Sequence, residues 1–120
     1  MYKVIFYQNA KGENEVNNYI QELRKNNSKN NNIKLNKIIS YLKMLELYGL
    51  GLGEPYIKRI NKEIWELRPL RDRILFAVFD NNKFIILTYF VKKTNKTPTR
   101  EITRAKKCLE EYIIRGDKNE

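Results

Sequence analysis

The sequence predicts an α+β fold in which an antiparallel meander sheet carries an N-terminal helical hairpin on one face and is completed by a C-terminal helix. The main observation is a series of three strand-like segments, rich in β-branched, aromatic and large aliphatic residues: Ile64–Arg68, Arg73–Phe79 and Phe84–Val91. Apolar residues recur at helical spacing both before and after these segments. The chain has 120 residues, a length that suits one domain spanning 1–120.

Two turns set the register of the predicted meander. Pro69–Asp72 connects the first two segments, and Asp80–Lys83 connects the next two. Asn81 and Asn82 form the predicted two-residue loop, because asparagine tolerates positive φ. In this register three pairs of residues lie directly opposite and share a sheet face: Arg68 with Arg73, Arg73 with Phe90, and Leu75 with Thr88.

The two faces of the predicted meander differ in polarity. One face is almost wholly apolar and needs helices packed on it: Trp65, Leu67, Ile74, Phe76, Val78, Ile85, Leu87, Tyr89 and Val91. The other face has a mostly cationic end, with Glu66, Arg68, Arg73, Thr88 and Lys92, and an apolar end, with Leu75, Ala77, Phe79, Phe84 and Ile86. Like charges on adjacent strands repel, so the cationic end favours a bound phosphate or partner carboxylate. A solvated basic edge paired with Glu66 explains the same pattern equally well.

The segments before the meander predict a strand, a helical hairpin and a second, short strand. Met1–Gln8 alternates in polarity and joins the sheet. An amphipathic helix over Glu13–Lys25 is separated from a second helix by the asparagine-rich break Asn26–Asn32. Their apolar stripes belong to the core: Val16, Tyr19, Ile20 and Leu23, then Leu35, Ile38, Ile39, Leu42 and Leu45. The glycines of Gly49–Gly53 end the second helix, and Tyr56–Ile60 is the short strand.

The last helix is predicted to begin with Thr97 as N-cap and Pro98 at its first position, and to end at Gly116 before a frayed tail, Asp117–Glu120. Its inward residues are Ile102, Ala105, Leu109, Tyr112 and Ile113, and its outward residues are Arg100, Arg104 and Lys107. We expect this helix to cover the apolar end of the second sheet face and to leave the cationic end uncovered.

Charge and composition limit the classes of partner and cofactor. Lys and Arg number 24 against 14 Asp and Glu, a net charge of +10, which favours a polyanionic partner such as nucleic acid or an acidic protein. With no His and a single Cys, the usual zinc sites are excluded. Glu66, Asp72 and Asp80 do not form the paired carboxylates of a two-metal nuclease, so we predict no metal and no cofactor. No apolar run approaches the about 20 residues that cross a bilayer, so we expect a cytoplasmic protein without membrane contact.

Several short motifs follow one another in a characteristic order: WELRP, then RILF, then a strand ending in FVKKTNKTP that leads into REITRAKK. In this order, and over nearly the whole chain from Tyr2 to Arg115, the sequence resembles the RelE/HigB superfamily of bacterial and phage-derived toxins, in particular its HigB-like branch. The resemblance implies a RelE-like fold and the toxin of a type II toxin–antitoxin pair, an mRNA endoribonuclease that acts on translating ribosomes. The implied partners are mRNA, the ribosome and a HigA-like, helix-turn-helix antitoxin.

The resemblance also suggests site residues. Arg68 matches the family's Arg after the Glu-Leu pair, Arg73 the Arg that opens the next strand, and Lys92 the first of its paired lysines. These residues are predicted to be catalytic: Arg68, Arg73 and Lys92. Lys58 and Lys93 match further basic positions, and Thr88 and Arg100 lie near the cationic end. These residues are predicted to bind RNA: Lys58, Lys93, Thr88 and Arg100.

The predicted chemistry is metal-independent attack of an RNA 2′-oxygen on the adjacent phosphorus. Guanidinium groups match phosphate oxygens geometrically and would stabilise the charge that develops there. Since the chain has no His, the general acid and base are left open, with the lysines as candidates.

Three alternative interpretations remain open. A non-catalytic nucleic-acid-binding module would use the same cationic end to bind phosphates without cutting RNA. A phage-derived assembly protein would use the second sheet face for protein contacts, and a degenerate toxin would have lost its cleavage activity.

Overall fold

A computed structural model of the chain describes residues 1–115, so that the predicted helix stop at Gly116 and the tail Asp117–Glu120 lie outside the described residues. The elements in chain order are β1 (Lys3–Phe6), α1 (Glu15–Lys25), α2 (Lys29–Tyr48), a short 3₁₀ helix (Gly49–Leu52), β2 (Ile57–Arg59), β3 (Ile64–Leu67), β4 (Asp72–Phe79), β5 (Lys83–Val91) and α3 (Thr99–Arg115).

The strands form one five-stranded sheet in the order β1-β5-β4-β3-β2. β2 to β5 are antiparallel neighbours, which confirms the predicted meander. β1 also joins the sheet as predicted, at the outer edge of β5, where it runs parallel to β5 with Val4 beside Phe84. The alternating pattern of β1 does not predict this parallel direction, because alternation is the same in either orientation.

Helices cover both faces of the sheet and confirm the predicted α+β class. α1 and α2 cover one face, here called the hairpin face, and α3 covers the other, here called the α3 face. The buried core on the hairpin face consists of Val16, Ile20, Leu23, Ile38, Leu45, Ile57, Leu67, Ile74, Phe76, Phe84 and Ile86. The core on the α3 face consists of Tyr7, Ile64, Leu75, Ala77, Ile85, Leu87, Ala105, Leu109 and Tyr112. Each fully buried aliphatic or aromatic side chain stabilises the fold by about 1.5–3 kcal/mol, so that both layers drive folding.

The β4–β5 hairpin corrects part of the predicted register. Phe79 pairs with Lys83, which leaves a three-residue loop in which Asp80 and Asn81 adopt positive φ values of 53° and 62°. The predicted pairs of Arg73 with Phe90 and Leu75 with Thr88 are nevertheless confirmed, because a β-bulge follows Leu75. Beyond the bulge the predicted faces are wrong for four residues of β5: Ile85 and Leu87 pack on the α3 face, while Phe84 and Ile86 pack on the hairpin face.

The helical hairpin begins later in the chain than predicted, and the connection between its two helices is shorter. α1 begins at Glu15, because the side chain of Asn14 caps it by accepting a hydrogen bond from the Asn17 amide at 2.9 Å. The predicted bounds of the break between the helices, Asn26–Asn32, are wrong. The second helix, α2, already begins at Lys29, with Ser28 as its N-cap. Exposed asparagines are tolerated in this first helical turn, because Asn31 and Asn32 hydrogen-bond to residues before the helix.

The start of α3 also differs from the prediction. The carbonyl of Pro98 accepts hydrogen bonds from the amides of Glu101 and Ile102, at 3.1 and 3.3 Å, so the helix begins at Thr99. Thr97 does not cap the helix, since its hydroxyl is bound to the sheet instead. Ala105, Leu109 and Tyr112 face the core as predicted, whereas Ile113 is 49% exposed and does not.

Side chains protect the part of β5 that β1 does not reach. β1 ends at Phe6, and farther along β5 the Tyr89 amide donates to the Glu15 carboxylate at 3.0 Å while the Tyr89 carbonyl accepts from Arg104 at 3.3 Å. Arg104 also binds Glu15 through two hydrogen bonds of 2.7 and 3.1 Å. These contacts raise the pKa of Arg104, and they tie α1 and α3 to the end of β5 that leads to the candidate site.

Candidate nucleic-acid interface

The ends of β3 and β4 bring together three charged residues on the α3 face, here called the arginine cluster: Glu66, Arg68 and Arg73. Glu66 is 2% exposed, and its Oε1 atom lies 3.4 Å from Nε of Arg68 and 3.8 Å from Nε of Arg73. The antiparallel pairing of Leu67 with Ile74 places the two arginines on the same face. One carboxylate therefore faces two guanidinium groups and neutralises the charge of only one.

Arg73 is the more enclosed of the two arginines and is 7% exposed. Its Nη1 atom donates to the carbonyl oxygens of Leu70 and Asp72, at 2.8 and 2.9 Å, and so holds the turn between β3 and β4. Burial, and then the nearby charge of Arg68, lower the pKa of Arg73. The expectation that Arg73 is uncovered is therefore wrong: its guanidinium group lies beneath the surface and orients the turn.

Arg68 lies closer to solvent, with 21% of its side chain exposed. Among the described residues its buried Nε atom has no hydrogen-bond partner, because the contact with Glu66 has the distance of an ion pair without the alignment of a hydrogen bond. Arg68 thus combines a partly exposed side chain with a buried donor that has no partner within residues 1–115, and arginine side chains of this kind bind anions.

Thr97 links the segment after β5 to the arginine cluster. Its hydroxyl donates to Oε2 of Glu66 at 2.8 Å. The same segment is fixed at its start, because the Lys92 amide donates to the Arg71 carbonyl at 2.8 Å and Arg71 returns a hydrogen bond of 2.8 Å to the Lys92 carbonyl. The segment from Lys92 to Thr97 is therefore held over the cationic end of the α3 face at both of its ends.

The predicted lysines and Arg100 lie around the arginine cluster and differ in their exposure to solvent. Lys58 is exposed on β2 directly opposite Glu66, and so belongs to the same sheet face. Lys92 follows β5 and is partly buried, whereas Lys93 is exposed. Arg100 stands on the first turn of α3 with 79% of its side chain exposed, and its Nε lies 3.6 Å from Glu101.

A cavity of about 390 Å³ opens beside the arginine cluster, between the end of β5 and the start of α3. It is lined by Phe90, Val91, Lys93, Thr94, Lys96, Pro98, Arg100 and Glu101. Phe90 is directly opposite Arg73 across the β4–β5 pair, so the cavity and the arginine cluster share one face of the sheet. The lining of the cavity thus combines apolar side chains with several positively charged ones.

The amino-acid sequence matches the sequence model of a known protein family. Residues 22–110 match the sequence model of the family described as phage-derived protein Gp49-like (DUF891), which covers most of the chain. The chain belongs to the Gp49-like family. This family belongs to the RelE/ParE-like toxin superfamily, so the toxin resemblance is confirmed at that level. None of the curated proteins compared matches the chain.

Within this Gp49-like chain, the predicted site residues fall into three groups. Arg68, Arg73 and Lys58 share the cationic end of the α3 face, with Lys92 just beyond β5. Lys93 and Arg100 lie beside them on the lining of the cavity. Thr88 lies on the same face but is completely buried, with its hydroxyl unpaired among residues 1–115, so that the direct RNA contact predicted for it does not fit the structure.

Phe90 and Thr97 are site residues that sequence reasoning did not identify as such. Phe90 was paired with Arg73 in the predicted register, and an aromatic residue directly opposite a predicted phosphate-binding arginine was the available signal. No such signal existed for Thr97, because its Thr-Pro sequence is equally typical of a helix N-cap.

The Gp49-like chain also contains a second buried polar cluster, on the hairpin face, here called the Tyr19–Asp72 cluster: Tyr19, Lys34 and Asp72. Asp72 is 1% exposed and accepts a hydrogen bond from the Tyr19 hydroxyl at 2.9 Å, while Nζ of Lys34 lies 3.6 Å away. Burial and the adjacent Asp72 raise the pKa of Tyr19. The available signal for this contact was a tyrosine on an apolar helical stripe, whose hydroxyl needs a buried partner.

Metal-ligand groups and membrane-spanning helices are both absent from the part of the chain that the structure describes. No group of three or more Cys, Asp or Glu side chains within residues 1–115 is arranged to hold a metal ion. None of the helices described is long and apolar enough to cross a membrane.

Proposed function

We propose that the chain is the toxin of a type II toxin–antitoxin pair, of the HigB-like branch, and that it is a metal-independent mRNA endoribonuclease acting on translating ribosomes in the cytoplasm. The observation that carries this proposal is the arginine cluster, in which Glu66 Oε1 faces the Nε atoms of Arg68 and Arg73 at 3.4 and 3.8 Å. Membership of a toxin-like family supports the same reading.

The electrostatics of the cluster favour a phosphate ligand. Glu66 neutralises one guanidinium charge, and Lys58 and Lys92 add further positive charge around the same end of the sheet. An RNA phosphate that approaches Arg68 from solvent meets a planar donor group that is already oriented by Glu66. Preorganised donors of this kind stabilise charge that develops in a transition state without reorganising during the reaction.

In the proposed reaction the 2′-hydroxyl loses its proton and the 2′-oxygen bonds to the adjacent phosphorus. The bond from phosphorus to the 5′-oxygen breaks, and that oxygen takes up a proton, leaving a 2′,3′-cyclic phosphate and a free 5′-hydroxyl. Arg68 binds the phosphate oxygens directly, and Arg73 acts behind it by holding the turn and adding positive charge. Lys92 and Lys58 position the RNA backbone or transfer the protons.

The proposed partners follow from charge and family. With a net charge of +10, the chain attracts ribosomal and messenger RNA, and an acidic segment of an antitoxin would neutralise the same charge. We propose a HigA-like, helix-turn-helix antitoxin as the cognate inhibitor.

Inducible expression in a bacterial host tests the proposal. Wild type should arrest growth and create new 5′ ends within translated messages. Arg68→Ala should abolish both effects, because it removes the more accessible of the two arginine side chains. Arg73→Lys should weaken them, since an ammonium group retains charge but cannot hold the turn through the same fork of donors.

Arg59→Ala is the matched control, because Arg59 is an exposed arginine of β2 that lies over the Trp65 ring on the opposite sheet face. It should remain toxic. Circular dichroism and urea denaturation show whether each variant folds. A folded wild type that creates no new 5′ ends, or a folded Arg68→Ala variant as active as wild type, would contradict the proposed function.

A non-catalytic RNA-binding module is the second candidate, and the enclosure of Arg73 favours it. A guanidinium group engaged with Leu70 and Asp72 is suited to shaping a phosphate site but contributes less to catalysis. This candidate predicts RNA affinity that falls with salt and messages that stay intact.

A further inference from the structure

We infer that the cavity between β5 and α3 binds one unpaired nucleobase of single-stranded RNA, stacked on Phe90, while the phosphate next to that base lies at Arg68. This inference deepens the proposed function and rests on RNA being the ligand. It assigns a binding role to Phe90, and a supporting role to Lys96, that the cationic cluster alone does not provide.

The sheet register places the two parts of the proposed site side by side. Phe90 on β5 is the direct partner of Arg73 on β4, and Arg68 follows β3 on the same face. Side chains directly opposite in an antiparallel pair have Cβ atoms about 4.5–5.5 Å apart. Phe90 and Arg68 are therefore separated by β4, or by about 10 Å between β5 and β3, a span that a nucleotide and the long Arg68 side chain can cover together.

The cavity has the size and lining of a small-molecule site. Its volume of about 390 Å³ lies within the range of about 300–1,000 Å³ that is common for such sites. Phe90, Val91 and Pro98 supply apolar surface, and Phe90 is only partly buried, so that its ring is not fully used by the core. Aromatic faces bind bases of any sequence, because every base has a π-face.

Charged residues surround this apolar surface in the pattern that a nucleotide requires. Lys93, Lys96 and Arg100 line the cavity and suit the phosphates on either side of a bound base. Glu101 also lines it, and its carboxylate is held by Arg104 at 2.9 Å and by Arg100 at 3.6 Å. A fixed carboxylate accepts hydrogen bonds from the amino groups of a base, whereas it repels the acidic side chains of a peptide. The lining therefore favours a nucleobase over an acidic protein segment.

The test uses a short single-stranded 2′-O-methyl RNA with one 2-aminopurine base, because methylation blocks the attacking oxygen and allows binding without cleavage. Fluorescence anisotropy gives the dissociation constant, and quenching of 2-aminopurine reports stacking. Wild type should bind and quench. Phe90→Leu keeps an apolar side chain against the core but removes the ring, and should weaken binding about tenfold, as expected for one lost stacked base. It should also abolish the quenching.

Three further measurements separate stacking from charge and from folding. Phe79→Leu makes the same change on β4 at the far end of the same sheet, where Phe79 packs edge-on against Tyr112, and should bind like wild type. An oligonucleotide with an abasic site in place of 2-aminopurine should bind wild type and Phe90→Leu equally. Lys96→Ala should weaken both oligonucleotides by the same factor and reduce the salt dependence of binding.

Three results would overturn the inference: equal binding and quenching by Phe90→Leu and wild type, equal affinity of wild type for the abasic and base-containing oligonucleotides, or tighter binding of an acidic peptide that Phe90→Leu abolishes.

Failure of the proposed function can be distinguished from failure of the inferred base site. If wild type stacks the base but cuts no RNA in cells, the cleavage proposal fails and the base site stands. If Phe90→Leu binds like wild type while Arg68→Ala loses toxicity, the base site fails and the cleavage proposal stands.

Discussion

Asp72 and Arg73 are adjacent in the chain, but their side chains enter two different buried polar clusters on opposite faces of the sheet. On the hairpin face, the Asp72 carboxylate meets the neutral hydroxyl of Tyr19 and one partly exposed cation, Lys34. On the α3 face, the Glu66 carboxylate meets two guanidinium groups, and the threonine of a covering segment binds its other oxygen. Each cluster has one carboxylate that is nearly inaccessible to solvent.

The two clusters differ in their net charge and in the elements of the fold that cover them. The Tyr19–Asp72 cluster balances one anion with one cation beneath two helices, which is the pattern of a structural contact. The arginine cluster has an unbalanced positive charge beneath a single loop segment, with Arg68 reaching solvent. Buried ion pairs contribute little net stability, so a surplus of positive charge at this position indicates binding of an anion more than stabilisation of the fold.

The largest effect is expected from Arg68→Lys. The substitution keeps the charge but removes the planar pair of donors, and loss of one preorganised donor typically lowers a rate by about 10²–10³-fold. We expect the proposed RNA cleavage to fall by this factor, while the free energy of unfolding changes by no more than about 1 kcal/mol, because lysine keeps the positive charge beside Glu66. Primer extension on messages from induced cells, together with urea denaturation, measures the two quantities.

Arg59→Lys is the control for this prediction, since it makes the same change at an exposed arginine on the hairpin face. A cleavage rate for Arg68→Lys within threefold of that of Arg59→Lys would mean that the site needs only charge, and the contrast between the clusters would lose its functional meaning.

Glu66→Gln is expected to give the next largest effect, on stability. Removing the carboxylate leaves two guanidinium groups unpaired, and breaking a buried pair costs about 3–5 kcal/mol. Because 21% of the Arg68 side chain is exposed, we expect a smaller loss, of about 2–3 kcal/mol, in the free energy of unfolding. Added phosphate should restore part of this loss, since the anion replaces the missing carboxylate.

Urea denaturation in phosphate and in chloride at equal ionic strength measures this rescue. Phosphate stabilises most proteins through exclusion from their surface, so that the gain must be compared with that of wild type. Asp72→Asn is the matched control and should gain no more than wild type does. Equal rescue of the two variants would show that the arginine cluster has no special affinity for phosphate.

The fold could be predicted largely because its signals are local. The composition of the strands, the apolar stripes of α1 and α2, and the turns at Pro69–Asp72 and Asp80–Lys83 each depend on a few neighbouring residues. The bulge after Leu75 could not be predicted, because β5 is apolar on both faces and its alternation does not reveal an inserted residue. The shared face of Arg68 and Arg73 followed from the turn between β3 and β4, which lies before the bulge and is unaffected by it.

The details of the candidate site depend on contacts between distant parts of the chain. Thr97 binds Glu66, which faces Arg73, from 31 positions away. Tyr19 reaches Asp72 from 53 positions away. Neither distance leaves a local pattern in the sequence, so that the burial of Arg73 and the partner of Asp72 emerged only from the structure.

Tyr19→Phe tests the structural role of the second cluster. The change removes the hydroxyl that donates to Asp72 and leaves the ring stacked on Tyr89, where the ring centroids are 4.2 Å apart. Hydrogen bonds to charged groups contribute about 1.5–3 kcal/mol, so we expect a loss of about 1.5 kcal/mol in the free energy of unfolding. The proposed RNA cleavage should stay within about twofold of wild type, because a loss of about 1.5 kcal/mol does not depopulate a folded domain with a stability of about 5–15 kcal/mol.

The same variant should change the response to alkaline pH. Burial raises the pKa of Tyr19 above its ordinary value of about 10, so that near and above this pH the unfolded state binds fewer protons than the native state. Stability is therefore fully present below pH about 10 and falls as pH rises toward the folded-state pKa. Tyr19→Phe should flatten this fall in urea denaturation, whereas Tyr48→Phe, a change at a tyrosine that is 60% exposed, should leave it as in wild type. An unchanged slope for Tyr19→Phe would mean that its hydroxyl ionises as freely in the native state as in the unfolded chain.

Lys34→Ala should have the smallest effect of the series. Nζ of Lys34 lies 3.6 Å from Asp72 but 32% of the lysine side chain is exposed, and partly solvated pairs of this kind contribute about 0–1 kcal/mol. We expect a loss below about 1 kcal/mol that shrinks further in high salt, with Lys37→Ala on the exposed side of α2 as the control. A loss larger than that of Tyr19→Phe would show that the lysine charge, and not the tyrosine hydroxyl, keeps Asp72 buried. The hairpin-face cluster would then depend on a cation in the same way as the arginine cluster, and the two clusters would differ only in their number of cations.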